Sequence, residues 1–367
     1  MSGGENYRRR RERAGELMRS RGVDLCLIGP GADLAYMTGC RLPGDERLLA
    51  LALPPEGEAF LIANELYREQ VKDLPLSSFV YWRDGEDPYE ILARAIRDRG
   101  FLSAQTAVGD AMPSVFALNI AAALGAELRP AGFLTQPLRQ YKDREEMAAV
   151  ATACRAADEA LRAVLSLGRE WIGRTESDLA ESLAREMRRR GLERPEILAA
   201  VGPGAAVPHY KTGETLIADG QCLLVDFIAT YEGYYTDMTR TVHFGPPGDE
   251  FRAVYSAVLG AHLAAETAVQ AGNLMEDIDI AARDYISARG YGDAFNHRTG
   301  HGVGLDVHEG ASAVRGEKTP LAPGLVFSVE PGIYLPGRFG VRIENLVAVT
   351  AAGREVLHTF PRELLIF

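Results

Sequence analysis

The sequence predicts two domains: an α/β domain over residues 1–138, then an α+β domain over 139–367 with an approximate internal repeat. Three observations carry this. The first third alternates short apolar runs with segments of helical period. Composition shifts to Ala-rich helix after "GFLTQPLRQYKDREEM" (132–147). Beyond that point a helix–helix–strand–strand pattern occurs twice, with weak residue identity between the two blocks. At 367 residues the chain is long enough for two cores.

In the first domain, "VDLCLIG" (23–29), "LLALALP" (48–54), "AFLIA" (59–63) and "FVYW" (79–82) are apolar enough to be buried strands. "PYEILARAIRDRG" (88–100) and "PSVFALNIAAALG" (113–125) each start on Pro, carry apolar residues at helical spacing and end on Gly. In the second domain, 144–168 reads as one long amphipathic helix. A second helix spans 175–191, with Thr175 and Asp178 placed as a capping box. "QCLLVDFIATYEGYYTDMTRTVHF" (221–244) reads as a hairpin turning at Gly233. Helices over 249–272 and 275–290 follow, then strand-like "LVFSVEPGIYL" and "GVRIENLVAVT".

Composition excludes several function classes. A net charge of −11 gives no support to nucleic-acid binding, which wants a basic face. No run of about 18 apolar residues exists, so no membrane span is expected. The arginine cluster of "MSGGENYRRRRERAGELM" has no apolar stretch after it. It reads as the solvated start of a helix, and a cytoplasmic chain is expected. Cys26, Cys40, Cys154 and Cys222 form no CxxC pair and sit among apolar residues, which suits reduced, buried thiols.

"HRTGHGVGLDVHE" (297–309) holds three histidines and two acids. It lacks the HExxH spacing of a metal-binding helix, and Gly300, Gly302 and Gly304 argue against any helix there. The same glycines do not make a phosphate loop, because no Lys follows. If His301 binds something, its partners come from elsewhere. Acids inside apolar strands are the candidates: Asp226 in "LLVDFI", Asp237 in "YYTDMTR", Glu330 in "VFSVEPG" and Glu344 in "VRIENLV". A carboxylate in such a setting is costly unless paired or metal-bound. Arg240 and Arg342 are the only obvious basic partners. Four carboxylates and one neutral imidazole balance two divalent cations. That donor set suits manganese, iron, cobalt or zinc. Two such metals can hold a hydroxide between them as nucleophile.

With those stretches in view, the chain resembles the M24 "pita-bread" metallopeptidases, in their Xaa-Pro dipeptidase (prolidase) and aminopeptidase P branch. "GPGAAVPHY" matches as well, and "GADLAYMTGC" resembles the creatinase-like N-terminal domain of that branch. The resemblance implies a creatinase-like domain followed by a pita-bread catalytic domain. It implies that Asp226 chelates one metal, Asp237 and Glu344 bridge two, and His301 and Glu330 complete the second. It makes Glu330 a proton shuttle as well. His209 and His308 then steady the scissile carbonyl and the tetrahedral intermediate. His297 lines the substrate pocket, and Arg342 orders the site beside Glu344. Arg315 and Lys318 stand as solvated loop charges or as anchors for the substrate's C-terminal carboxylate.

The resemblance therefore implies a homodimeric peptidase. It would use two divalent ions, manganese by family habit, on a small peptide with proline at the second position. Cleavage of an Xaa-Pro dipeptide is the leading expectation. Alternatives are aminopeptidase P activity on longer peptides, hydrolysis of a non-peptide small molecule, and a non-catalytic peptide-binding module.

Overall fold

The computed structural model describes residues 3–367, and contacts divide the chain into two compact units, Met1–Arg139 and Gln140–Phe367.

The first unit runs α1 (Gly3–Ser20), β1 (Leu25–Ile28), α2 (Ala32–Thr38), β2 (Ala50–Leu53), β3 (Phe60–Asn64), α3 (Arg68–Val71), β4 (Ser78–Trp82), α4 (Pro88–Asp98), β5 (Thr106–Val108), α5 (Ser114–Leu124), β6 (Leu128–Pro130) and α6 (Gly132–Gln140). Its mixed sheet has the order β4-β3-β2-β1-β5-β6. β1 pairs antiparallel with β2 and parallel with β5. The buried side chains of β1, β2 and Phe60–Ala63 of β3 are continuous apolar runs, as a sheet covered on both faces requires. Asp87 caps α4 with Pro88 behind it, and Gly125 closes α5 at φ 62°.

The arginine cluster departs from expectation. It lies on α1, with Met1 and Ser2 of that stretch outside the described residues, but it is not wholly solvated. Arg11 donates to the Met37 and Pro75 carbonyls, and Arg10 is buried and donates to that of Tyr36. Two of the arginines thus serve carbonyls of the last turn of α2, and Arg11 also that of Pro75.

The second unit begins with α7 (Arg144–Leu165), α8 (Glu176–Arg189), β7 (Glu193–Val201), β8 (Cys222–Tyr231) and β9 (Tyr234–His243). It continues with α9 (Asp249–Ala268), α10 (Met275–Ser287), β10 (Gly300–His301), β11 (Ser312–Ala313), β12 (Val326–Val329), β13 (Gly332–Leu335), β14 (Phe339–Arg342), β15 (Asn345–Thr350) and β16 (Gly353–Val356). Each block lays two helices against strands. Leu161, Leu179 and Leu183 of the first helix pair pack on Phe227 and Met238. Val254, Val258 and Ile278 of the second pack on Phe327 and Val347.

The first block carries three strands where two were expected. β7 escaped notice because Glu193, Arg194 and Glu196 break its apolar alternation. The long helix ends three residues early, at Leu165, and a short turn over Gly168–Trp171 follows. The hairpin turns at Glu232 and Gly233, both at positive φ, which matches the twist of a two-residue connection. Among the described residues no helix is long and apolar enough to cross a membrane. All four cysteines are free and buried.

Candidate active site

The antiparallel register of β7, β8 and β9 builds one wall. Asp226 faces Thr239 and Leu198, while Ile228 faces Asp237 and Glu196. Side chains two residues apart share a face of a strand, and directly paired residues share it across strands. Asp226, Asp237 and Thr239 therefore project together, beside Leu198 and Glu196.

Glu330 and Glu344 do not lie within strands, as the apolar context suggested. Each sits at a break: Glu330 between β12 and β13 ahead of Pro331, and Glu344 between β14 and β15. Proline cannot donate to a ladder, so the strand must stop there. The freed amides are still satisfied. Glu330 N–H donates to Thr299 O (2.8 Å) and Glu344 N–H to Thr239 O (3.1 Å). These two bonds aim both carboxylates back at the hairpin wall.

The glycine-rich segment brings His301 against them. A Cβ on Gly300 would stand 1.8 Å from Ser328 O, and one on Gly302 would stand 2.0 Å from Glu309 O. Only glycine permits either approach. Ser328 Oγ accepts the His301 amide (3.0 Å) and itself donates to Glu330 Oε1 (3.1 Å). His301 Nδ1 faces Gly302 O at 3.3 Å. That carbonyl can accept a proton from Nδ1, while Nε2 is turned toward the acids.

His301 Nε2 lies 3.2 Å from Glu330 Oε1 and 3.6 Å from Asp237 Oδ2. Ligand atoms of Asp237, His301 and Glu344 all fall within 4.8 Å of one another, and all three residues are buried. The electrostatics fit a cation. Burial, then the charges of Glu344, Asp226 and Glu330, push the Asp237 carboxyl well above its usual range. Glu344 is likewise raised well above its usual value by burial, then by Glu330 and Asp226. Glu330 goes the other way. Burial opposes its charge, but the contact with His301 holds it down to about 2. Buried acids gathered around one imidazole nitrogen are an oxygen-rich set that could hold divalent ions.

A second layer orients the acids. Arg342 Nη2 donates to Asp226 Oδ2 (2.5 Å), Nε to Thr239 Oγ1 (3.0 Å) and Nη1 to Tyr334 Oη (2.7 Å). Thr239 Oγ1 donates to Glu344 Oε2 (2.6 Å). Arg240, the other basic candidate, pairs with none of these carboxylates. It is buried and caps the carbonyls of Thr239, Glu344, Phe360 and Pro361, plus Asn345 Oδ1. Its register with Val225 puts it on the opposite face of the hairpin. Sequence reasoning missed Thr239 and Tyr334. An alternation count from Asp237 would have exposed Thr239, and nothing in the sequence singles out Tyr334.

All nine residues singled out from the sequence (His209, Asp226, Asp237, His297, His301, His308, Glu330, Arg342 and Glu344) line one cavity of about 610 Å³. His308 stacks edge-on against His301, with ring centroids 4.1 Å apart. Partial burial, then His301 and Arg298, lowers His308 to about 4, so it is neutral at pH 7. His297 has both nitrogens engaged, Nδ1 with Arg298 O (2.7 Å) and Nε2 with Tyr334 Oη (2.9 Å). Arg315 and Lys318 are outside the cavity. Both are about two-thirds exposed, and they pair with Asp284 and Glu276.

The chain is similar to known peptidases over nearly its whole length. The profile of metallopeptidase family M24 matches residues 148–351, and that of the creatinase/prolidase N-terminal domain matches 10–141. The chain is 36% identical to the probable dipeptidase PepE of Mycobacterium tuberculosis H37Rv, over 99% of this chain and 97% of that one. The crystal structure of dipeptidase PepE from Mycobacterium ulcerans superposes with a TM-score of 0.92 at 36% identity, covering 99% of this chain and 98% of that one. Recombinant prolidase from Thermococcus sibiricus also gives 0.92, at 35% identity, covering 98% and 99%.

Proposed function

This chain belongs to metallopeptidase family M24 and shares the pita-bread fold of its prolidase members, and from that premise we propose that it hydrolyses Xaa-Pro dipeptides with two divalent metal ions. The observation that carries the reading is the buried meeting of Asp237, His301 and Glu344, with Asp226 and Glu330 on the same cavity. Asp226, Asp237, His301, Glu330 and Glu344 are the proposed ligands, with manganese the proposed ion. When bound, such ions cancel the acids' repulsion and acidify water to a nucleophile near neutral pH.

The remaining chemistry belongs to side chains. Breaking an Xaa–Pro bond puts negative charge on the carbonyl oxygen and needs a proton on the departing proline nitrogen. His308, beside His301, and His209 on the same cavity are the proposed donors to that oxygen. Glu330, hydrogen-bonded to Ser328, is the proposed carrier of the proton to the nitrogen. Arg342 and Thr239 keep Asp226 and Glu344 aimed inward. His297 offers its ring as a wall, since both nitrogens are engaged. The four free thiols suit the reducing cytoplasm, the proposed location. A homodimer is the proposed assembly, from the resemblance alone.

The test loads purified protein with manganese and measures proline release from Ala-Pro, first-bond cleavage of Ala-Pro-Ala, and hydrolysis of Ala-Ala, with a chelated control. Cleavage of Ala-Pro alone supports the dipeptidase. Cleavage of Ala-Pro-Ala moves the chain to aminopeptidase P. Activity that survives chelation refutes the metal mechanism.

A further inference from the structure

We propose that His358 is a positioning residue for the metal-binding acids: paired with Asp158, it holds the backbone carbonyl of Asp237 and so sets where the Asp237 carboxylate points. This rests on the metal-dependent reading above and adds a residue to it. The need arises from the sheet. In the order β7-β8-β9, β9 is an edge strand. Along an antiparallel strand, successive residues turn their backbone groups alternately to the partner and away from it. Tyr235 N–H donates to Gly304 O (2.8 Å), and Thr239 O accepts the Glu344 amide (3.1 Å), so Tyr235, Asp237 and Thr239 turn theirs away from β8. Asp237 is buried, and a buried carbonyl without a partner is costly.

His358, in the segment after β16, supplies that partner. Its Nε2 lies 3.1 Å from Asp237 O, and its Nδ1 lies 2.8 Å from Asp158 Oδ1 on α7. Burial opposes the charge of Asp158, but His358 and Thr359 hold its carboxyl below the usual range. An ionised carboxylate and a carbonyl have no proton to give, so the ring donates to both. Thr236 Oγ1 is farther from Nε2, at 3.4 Å, and gives its own proton to Cys154 Sγ (3.6 Å). Asp158 is fixed in turn. Its Oδ2 accepts the Thr359 hydroxyl (2.8 Å), the Phe360 amide (3.2 Å) and the Thr359 amide. The imidazole is buried and held at both ends. Carbonyl and carboxylate share the Asp237 Cα, so a peptide that tilts carries the carboxylate with it. A working site tolerates about 0.5 Å of such drift.

The experiment titrates manganese into metal-free wild type, His358→Asn and His358→Gln by calorimetry, with melting in EDTA to show folding. Asn places its nitrogen where Nδ1 stood, so it can keep the bond to Asp158 but cannot reach Asp237. Gln places its nitrogen where Nε2 stood and can reach it. His358→Asn should bind manganese on the order of 10- to 100-fold more weakly than wild type, as loss of a group that orients a ligand implies. His358→Gln should recover most of that affinity. A residue that merely pins the chain to α7 would show the reverse order, which overturns the assignment. Equal loss in both variants, or affinity in His358→Asn equal to wild type, also overturns it and leaves the metal site intact. If His358→Asn fails to fold, His358→Gln decides: affinity near that of wild type supports the role, and weaker binding overturns it. Failure of both to fold makes His358 a folding residue and overturns it too. Wild type that binds no manganese overturns the metal-dependent reading and this inference together.

Discussion

The Lys142 ammonium lies 2.7 Å from Glu309 Oε1, and both side chains are at most 5% exposed. The other carboxylate oxygen of Glu309 accepts the Asp306 amide at 3.2 Å, and Gly304 leaves room for it. The pair thus shapes the loop that presents His308. Removing one partner strands a buried charge, which costs about 3–5 kcal/mol. Lys142→Met should lose that much stability in urea unfolding. Adding Glu309→Leu should recover much of it, because no unpaired charge remains. Activity should stay low in the double variant, since the loop has lost its support. A double variant no more stable than Lys142→Met would refute the account.

Gly300 is the tightest approach in the site. A methyl group there would overlap the Ser328 carbonyl, which belongs to backbone and cannot swing away. Gly300→Ala should therefore push His301 off Glu330 and cost about 3 kcal/mol or more, beyond ordinary overpacking. Gly248→Ala is the control: its Cβ meets nothing within 4 Å and its φ is −67°. That change should cost no more than about 1 kcal/mol, as loss of a helix N-cap glycine. Thermal melting and manganese titration of the two variants check the difference.

These cases show what a sequence makes legible. Asp226 and Asp237 stand out because a charge inside an apolar strand violates a period of two, and their register then follows from the hairpin. Glu330 and Glu344 were recognisable as unusual acids but not as residues at strand breaks, because the amides that turn them are satisfied by Thr299 and Thr239, 31 and 105 positions away. Lys142 and Glu309 are 167 residues apart, and each looks like a surface charge on its own. Arg240 looked like a counter-charge, yet it serves backbone carbonyls that a sequence does not display. Local pattern reveals the reacting groups. The groups that hold them are paired through the fold.

Acid should expose one such pairing. Glu266 is almost fully buried on α9 and paired with Arg362. Burial opposes its ionisation, but the hydrogen bond from His262, the Arg362 charge and the Asn345 amide hold it down to about 2. Its pKa in the unfolded chain is about 4.3. A depressed carboxylate contributes stability that is present above its unfolded pKa and lost as pH falls through its folded one. The loss should run from about pH 4.3 to about pH 2 and reach roughly 3 kcal/mol. Glu266→Gln should be less stable at pH 6 and should flatten the acid limb of stability against pH. A limb of unchanged slope would count against the pairing.

Two acids of the cavity, Asp237 and Glu344, have the opposite sign, and that makes metal removal informative without any substrate. Asp237 and Glu344 are raised well above ordinary carboxylates by burial and by their neighbours' charges, so their ionised forms cost stability at neutral pH. Neutralising one of them should relieve that cost in chelator. Asp237→Asn and Glu344→Gln should melt higher than wild type in EDTA. In manganese the order should invert. A cation that binds only the folded chain stabilises it by about 2.7 kcal/mol at a hundredfold excess over Kd, or several degrees in a unit of this size. The variants lack an oxygen donor of full charge and should lose most of that gain. A substitution that merely damaged packing would lower melting in both conditions, so the crossing of the two curves separates a metal site from a buried acid cluster. Wild type that melts at the same temperature in manganese and in EDTA would overturn the two-metal reading.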